Sequence, residues 1–379
     1  MIMSDKPSMI SRVEYYRLGT TVKAYVKTAE RTDAVFYVGE KEYAEQSNIR
    51  EPYDFTMHFF TVGEEELKKA GGFKTVFTKR GKRPTVFFID GVTAVEEFTV
   101  FDPDAVISRE TAFSRPDRGL KFEGKTDEGS IDGIDWVSEM YRTPAGAPVR
   151  VFVMTADTDR VSAICGTPEG VPEFRPKVIQ RVIEECAEYE KTGDTVLAAT
   201  NGDFFDMFGD CKPSGLCVSG GIVVANPDSP NPFFAILRSG EPFIGYLGET
   251  ELSEIAEAIG GGQVIVRNGE PAEIAPLEPF GEIAHPRTAF GITADGKIIA
   301  AVVDGRRPDW SNGAALIELA KIMIEHGAVT ALNTDGGGSS TFIVRGKDGL
   351  QMLNHPADLV RPTEDLIRPL FNSLIIIKK

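Results

Sequence analysis

From about residue 12 to 113 the chain alternates apolar and polar positions in short runs. Phe55, Met57 and Phe59 fall on one side of such a run and Val86 and Phe88 on one side of another, with Gly and Asp at the breaks. A period of two is the mark of strands with one face buried, so this part predicts a β-rich N-terminal domain. It holds no constellation of catalytic side chains. The stretch over 114–130 is polar, contains Gly and is poor in aliphatics, which predicts an exposed linker. The boundary is placed there, giving a smaller domain over 1–125 and a larger one over 126–379.

Beyond the boundary the pattern mixes periods. A helix is predicted over 175–190, with Pro176 in its first turn, Val178, Val182 and Cys186 on one face, and Gly193 past its end. The strand-like TVLAAT and the turn sequence NGDFF at 201–205 follow. The order then repeats: a helix over 313–326, with Leu316, Ala320 and Met323 on one face, stops at Gly327, and the run VTALNT leads into DGGGSST from Asp335. Two helix-to-strand units imply a mixed α/β (α+β) fold, a β-sheet core flanked by helices, with ligand sites at the carboxyl ends of its strands. Asn268-Gly269 and Ala294-Asp295-Gly296 mark hairpins; pairing about the second places Arg287 opposite Val303, so that Arg287 and Asp304 share one end. The C-terminal NSLIIIKK is nearly continuous in apolar residues and suits a strand covered on both faces.

Composition narrows the functions. With 379 residues, 42% hydrophobic and 26% charged, the chain can bury one or two large cores. A net charge of -16 speaks against nucleic acid or an anionic membrane surface as partner, because both need clustered Lys and Arg. A small anionic substrate then requires a few arginines to make a local positive field. No apolar run approaches the roughly 20 residues of a membrane span, and the start lacks a leader's apolar middle, so the chain as written reads as cytoplasmic; a trimmed exported protein would read the same. Four cysteines are too few for a disulfide scaffold. Cys165 and Cys186 read as buried apolar residues, and Cys211 and Cys217, in DCKPSGLC, as two thiols or a bridged pair.

DGGGSST joins a carboxylate, three glycines and three hydroxyls, and successive N–H groups in such a loop can cup an anion. No Lys follows the glycines, so it is not a nucleotide P-loop. With NGDFF at 201–205, PRTAFG at 286–291, DGR at 304–306, NHPAD at 354–358 and RPLFNSL at 368–374, in that order, the chain resembles the phosphodiester glycosidases. The resemblance covers roughly 134–379 and leaves the N-terminal domain without a role. Thr334 replaces a usual aliphatic residue, Ala357 a common Ser, and the segment between Asp358 and Arg368 is long; these departures bear on substrate more than on reaction class.

The resemblance implies hydrolysis of a sugar-1-phosphodiester, a small molecule or glycan carrying phosphate, to free sugar and a phosphomonoester. The reaction asks for a cation on the phosphate, a carboxylate at the anomeric carbon and help for the leaving group. Arg287, then Arg306, suit the cation, since a guanidinium holds two oxygens and stays charged. Asp203, Asp304, Asp335, Glu318 and His285 are the candidate catalytic residues. Asn201, Gly202, Thr288, Gly336, Gly337, Gly338, Ser339 and Ser340 join the arginines as substrate contacts. Each has a bland alternative: a turn for Asp304, a helix-surface pair with Lys321 for Glu318, an Asx turn for Asn201, an ion pair for either arginine. No cofactor is required, while Mg²⁺ or Ca²⁺ shared by Asp203 and Asp335 is compatible with the residue types. Two other readings stay open: an α-glycosidase acting on an ordinary or anionic glycoside, and a carbohydrate-binding or envelope-associated module without turnover.

Overall fold

The computed structural model describes residues 10–18, 21–28, 32–39, 41–43, 56–70, 72–79 and 85–90, and all from 119 onward except 208, 273–280, 282–283, 308–309, 358, 362–363 and 366. The chain divides into two compact units. One comprises Met1–Pro116 with Leu277–Ile283 and Leu359–Asp365, the other Asp117–Pro276, Ala284–Asp358 and Leu366–Lys379.

The N-terminal unit contains a three-stranded sheet, Ile10–Leu18, Thr21–Thr28 and Thr56–Gly63, and a four-stranded one ordered Lys41–Tyr43, Thr32–Val38, Gly72–Lys79, Thr85–Asp90. Its helix, Glu64–Ala70, buries Leu67, and the rings of Phe36 and Phe60 stack 4.6 Å apart.

The second unit is built on an eight-stranded sheet ordered Glu270–Pro271, Gln263–Arg267, Ala328–Asn333, Arg287–Thr293, Ile298–Val303, Pro148–Ala156, Ile134–Arg142, Lys121–Ile131. Two five-stranded sheets accompany it. One runs Val161–Gly166, Ser373–Lys378, Val196–Asn201, Phe342–Gly346, Gly349–Met352, the other Ile222–Ala225, Cys217–Ser219, Ile255–Gly260, Phe233–Leu237, Pro242–Gly245. The Leu316–Glu325 helix lays Leu316, Leu319, Ala320 and Met323 on Ala289, Ile299, Ala301 and Val303 of the large sheet. Each Leu, Ile, Val or Met among them contributes roughly 1.5–3 kcal/mol by leaving water. Residues that alternate with these point the other way: Phe152 meets Phe342 with ring centroids 5.8 Å apart, and Phe290 meets Phe234 at 5.5 Å, joining the large sheet to each of the smaller ones.

A sheet core flanked by helices is therefore the wrong class, and the fold is mostly antiparallel β. Among the described residues there are three α-helices against six sheets, and every pairing between named strands is antiparallel. Both helix-to-strand units exist, but their strands enter different sheets between antiparallel neighbours, so neither makes a parallel crossover. The first helix also starts late, at Val182–Thr192. Lys177 has φ 62 and Gln180 bridges to Leu370, so the chain ahead of it is not helical. Gly193 ends the helix in the left-handed region at φ 107. Of the predicted linker, 114–118 lie outside the described residues and Lys121–Ile131 is an edge strand; it is polar because most of it faces water. The Arg287 hairpin has the predicted register, Arg287 opposite Val303. The C-terminal strand lies between two neighbours with Ile375 and Ile376 fully buried.

Candidate active site

Strand ends from two sheets meet at Asn201. Its Nδ2 donates to the Asp335 carbonyl at 2.7 Å, and its Oδ1 accepts from Thr288 Oγ1 at 2.8 Å and from the Thr341 amide at 3.0 Å. The Asp335 amide donates to the Gly202 carbonyl at 3.1 Å, that of Thr334 to Thr288 at 2.9 Å and that of Gly337 to Pro286 at 3.0 Å. Motifs far apart in the chain are thereby knitted into one place. Two motif glycines are needed for this approach: a Cβ on Gly202 would lie 2.4 Å from Asn372 Oδ1, and one on Gly336 2.4 Å from the Pro286 carbonyl oxygen.

Asp203 and Asp335 form the charged centre. Asp203 is 3% exposed; its Oδ2 accepts the Gly215 amide at 2.6 Å, while its Oδ1 is buried with no hydrogen-bond partner among the described residues. Burial pushes its pKa up to about 7 against the opposing Gly215 amide, and the neighbouring Asp335 charge adds to the rise. The Asp335 carboxyl is enclosed although the residue keeps some surface, and burial raises it to about 6. The Ser339 hydroxyl, Arg368, the Gly336 amide and Arg306 pull the other way.

Two guanidinium groups thus act on Asp335. Arg306 donates from Nε to His285 Nδ1 at 3.2 Å, which leaves the proton of a neutral His285 ring on Nε2. A Cβ on Gly337 would sit 3.0 Å from Arg306 Nη1, so a glycine lets the guanidinium lie against the loop. Arg368 is 7% exposed and points Nη1 at Ser339 Oγ, 3.4 Å away, and at Met207 Sδ, 3.3 Å away. Reasoning from sequence overlooked Arg368, although the RPLFNSL segment that carries it was in view.

Other candidates are tied into the frame. Asp304 accepts Asn354 Nδ2 on Oδ1 at 2.9 Å, and Trp310 Nε1 and the His355 amide on Oδ2, both at 2.8 Å. Burial raises its pKa to about 6, with Trp310 the strongest opposing donor. Asn354 also donates to the Ser340 carbonyl at 3.0 Å and accepts the Phe342 amide at 2.7 Å, joining the DGR and DGGGSST segments. Glu318 accepts the Ala315 amide at 2.8 Å and caps its helix, and Arg287 Nε donates to the Ala314 carbonyl at 3.0 Å. In the glycine loop the Gly336 amide turns to Asp335 Oδ1 at 2.8 Å, that of Gly337 to Pro286, and that of Ser339 to Gly336. Gly338 and Ser340 are buried beside it, and Ser340 Oγ has no hydrogen-bond partner among the described residues.

Asp203 and Asp335 each spend an oxygen on a backbone amide, and the charges of Arg368 and Arg306 act on the Asp335 carboxyl. No group of three or more His, Cys, Asp and Glu among the described residues is arranged to hold a metal ion. All four cysteines are free and buried, so Cys211 and Cys217 are not bridged.

Residues 194–376 match the family model of phosphodiester glycosidases. This chain is similar to the phosphodiester glycosidases. The N-acetylglucosamine-1-phosphodiester alpha-N-acetylglucosaminidase of Bos taurus is 32% identical over 237 residues, which cover 58% of this chain and 40% of that protein. The enzyme of that name from Mus musculus is 31% identical over 179 residues, 42% of this chain and 33% of the mouse protein. The chain thus spans well under half the length of these relatives. The solved catalytic domain of the zebrafish enzyme of the same name, auto-inhibited by its pro-peptide, superposes with a TM-score of 0.55 at 23% identity, over 69% of this chain and 88% of that one; this is a likeness of fold. The resemblance carried by the motifs is therefore met by the family and by relatives named for it. No helix among the described residues is long and apolar enough to cross a membrane.

Proposed function

We propose that this protein hydrolyses the bond between a sugar's anomeric carbon and the phosphate of a sugar-1-phosphodiester, releasing free sugar and a phosphomonoester. The observation that carries the reading is the buried Asp203–Asp335 pair, tuned to near-neutral pKa values beside Arg306 and Arg368. Two such carboxylates with separated roles are what glycosidic cleavage requires, and two guanidinium groups answer a phosphodiester charge. Asp203, protonated up to about pH 7, gives its proton to the departing phosphate oxygen as the carbon–oxygen bond breaks. Asp335, ionised above about pH 6, stabilises the positive charge that develops at the anomeric carbon, and water supplies the hydroxyl of the freed sugar. Arg306 and Arg368 take the phosphate oxygens, while Asn201, Asp304 and Arg287 hold the frame. The reaction as proposed draws on no metal. The relatives' names make N-acetylglucosamine the first sugar to test.

The test offers the protein a methyl phosphodiester of α-N-acetylglucosamine-1-phosphate alongside the nitrophenyl α-glycoside of the same sugar. The phosphodiester should release sugar, and Arg368→Ala should lower its kcat/KM by about 10²–10³-fold, as loss of one transition-state contact does, while sparing any nitrophenyl turnover. Equal or better cleavage of the uncharged glycoside would sink the phosphate assignment and favour an ordinary α-glycosidase.

A further inference from the structure

Cys165 and Cys217 lie 52 positions apart, on strands of the two different five-stranded sheets, yet their sulfurs are 3.7 Å from each other. Both residues are fully buried. Their strands are already pinned at this point: Ser219 Oγ donates to the Cys165 carbonyl at 2.8 Å. Glu257 spans the junction, accepting the Cys165 amide on one oxygen at 3.0 Å and the Gly220 amide on the other at 2.9 Å. A disulfide needs sulfurs about 2.05 Å apart, so rotation of the two side chains has only a short gap to close.

We propose that Cys165 and Cys217 are a disulfide site, a covalent staple between the two small sheets directly behind the Asp203 turn. Two thiols become one disulfide; the two electrons and two protons pass to a low-molecular-weight disulfide, which is reduced to two thiols. The exchange belongs to folding, before the sheets close. Once they have closed, the sulfurs are out of reach, and the Cys165 thiol, its pKa raised by the contact with Cys217 and by burial, yields little reactive thiolate. The bond is then equally hidden from reductants.

The staple bears on the catalytic pair through Asn372. That residue donates from Nδ2 to Cys217 Sγ at 3.6 Å, accepts the Asp203 amide on Oδ1 at 2.8 Å and the Gly202 amide on its carbonyl at 3.0 Å. Fixing Cys217 fixes the base on which the Asp203 turn rests. The proposal does not depend on the glycosidase reading.

The experiment refolds denatured protein with a mixture of oxidised and reduced glutathione, and in parallel with excess reductant. Thiols are counted after blocking and unfolding, cross-linked peptides are mapped by mass spectrometry, and Tm is measured for both products. Oxidative refolding should leave two of the four cysteines titratable, yield a peptide joining 165 to 217, and raise Tm by several degrees. A Cys165→Ala, Cys217→Ala double variant should fold with the same Tm under both conditions. Four free thiols after oxidative refolding, a bridge between any other pair, or an equal Tm for the two products would overturn the proposal.

Discussion

Asn201 shows how a single side chain can tie a candidate site together. Its side-chain amide makes three hydrogen bonds, one to Thr288 and two to the DGGGSST segment, all inside the protein. Asn201→Ala would leave buried donors and acceptors unpaired at a cost of about 3 kcal/mol, and Tm should fall by roughly 10 °C when followed by circular dichroism. Asp203 is the opposite kind of residue, strained by its setting. Its carboxyl titrates from about 7 in the fold against 3.8 unperturbed, so between those values the folded chain holds the extra proton. Stability should decline as pH rises across that window and level off above it, and Asp203→Asn should flatten the slope of Tm against pH. On the proposed mechanism the same proton shapes the rate. Activity should rise as Asp335 ionises near pH 6 and fall as Asp203 deprotonates near pH 7, these values belonging to the pair rather than to either residue alone. Asp203→Asn should lose the alkaline limb. The positions of these carboxylates as candidates are legible in the sequence, because carboxylates in glycine-flanked turns advertise themselves. What no spacing could announce is that Asp304 has both oxygens occupied, or that Arg368, contributed by the closing segment, lies close to Asp335.

At the level of elements, the hairpin at Arg287 and both helix-to-strand units were readable because each is local: turn residues and side-chain periods act over a few positions. Sheet membership was not readable. A run such as VLAATN, buried at every position, satisfies a parallel or an antiparallel neighbour equally, and only long-range pairing decides. The polar edge strand Lys121–Ile131 was hidden for the converse reason, since a strand that faces water on most of its length has an ordinary linker's composition. The Leu316–Glu325 helix rides so low over the sheet that a Cβ on Gly291 would lie 2.6 Å from Met323 Cε. Gly291→Val should overpack this contact and cost about 1–3 kcal/mol, read as a lower midpoint in urea unfolding. Met323→Ala placed in the same chain should recover part of that loss, and strict additivity of the two changes would refute the direct contact.

For the whole molecule, a net charge of -16 would repel the proposed anionic substrate at long range, and attraction would begin only where Arg306 and Arg368 dominate. Binding on the proposed reading is therefore a short-range affair, while the struts that shape the candidate site are of another chemical kind. Asn201, Asn354 and Asn372 stitch the segments with uncharged carboxamides. Electrolyte screens ionic attraction, with a Debye length of about 3 Å at 1 M salt, and leaves neutral amide seams nearly indifferent. Brine should accordingly part the two properties: KM for a phosphodiester climbing several-fold in molar sodium chloride, with the melting profile almost unmoved. A scaffold sewn with amides can surrender its cargo to ionic strength and still keep its shape.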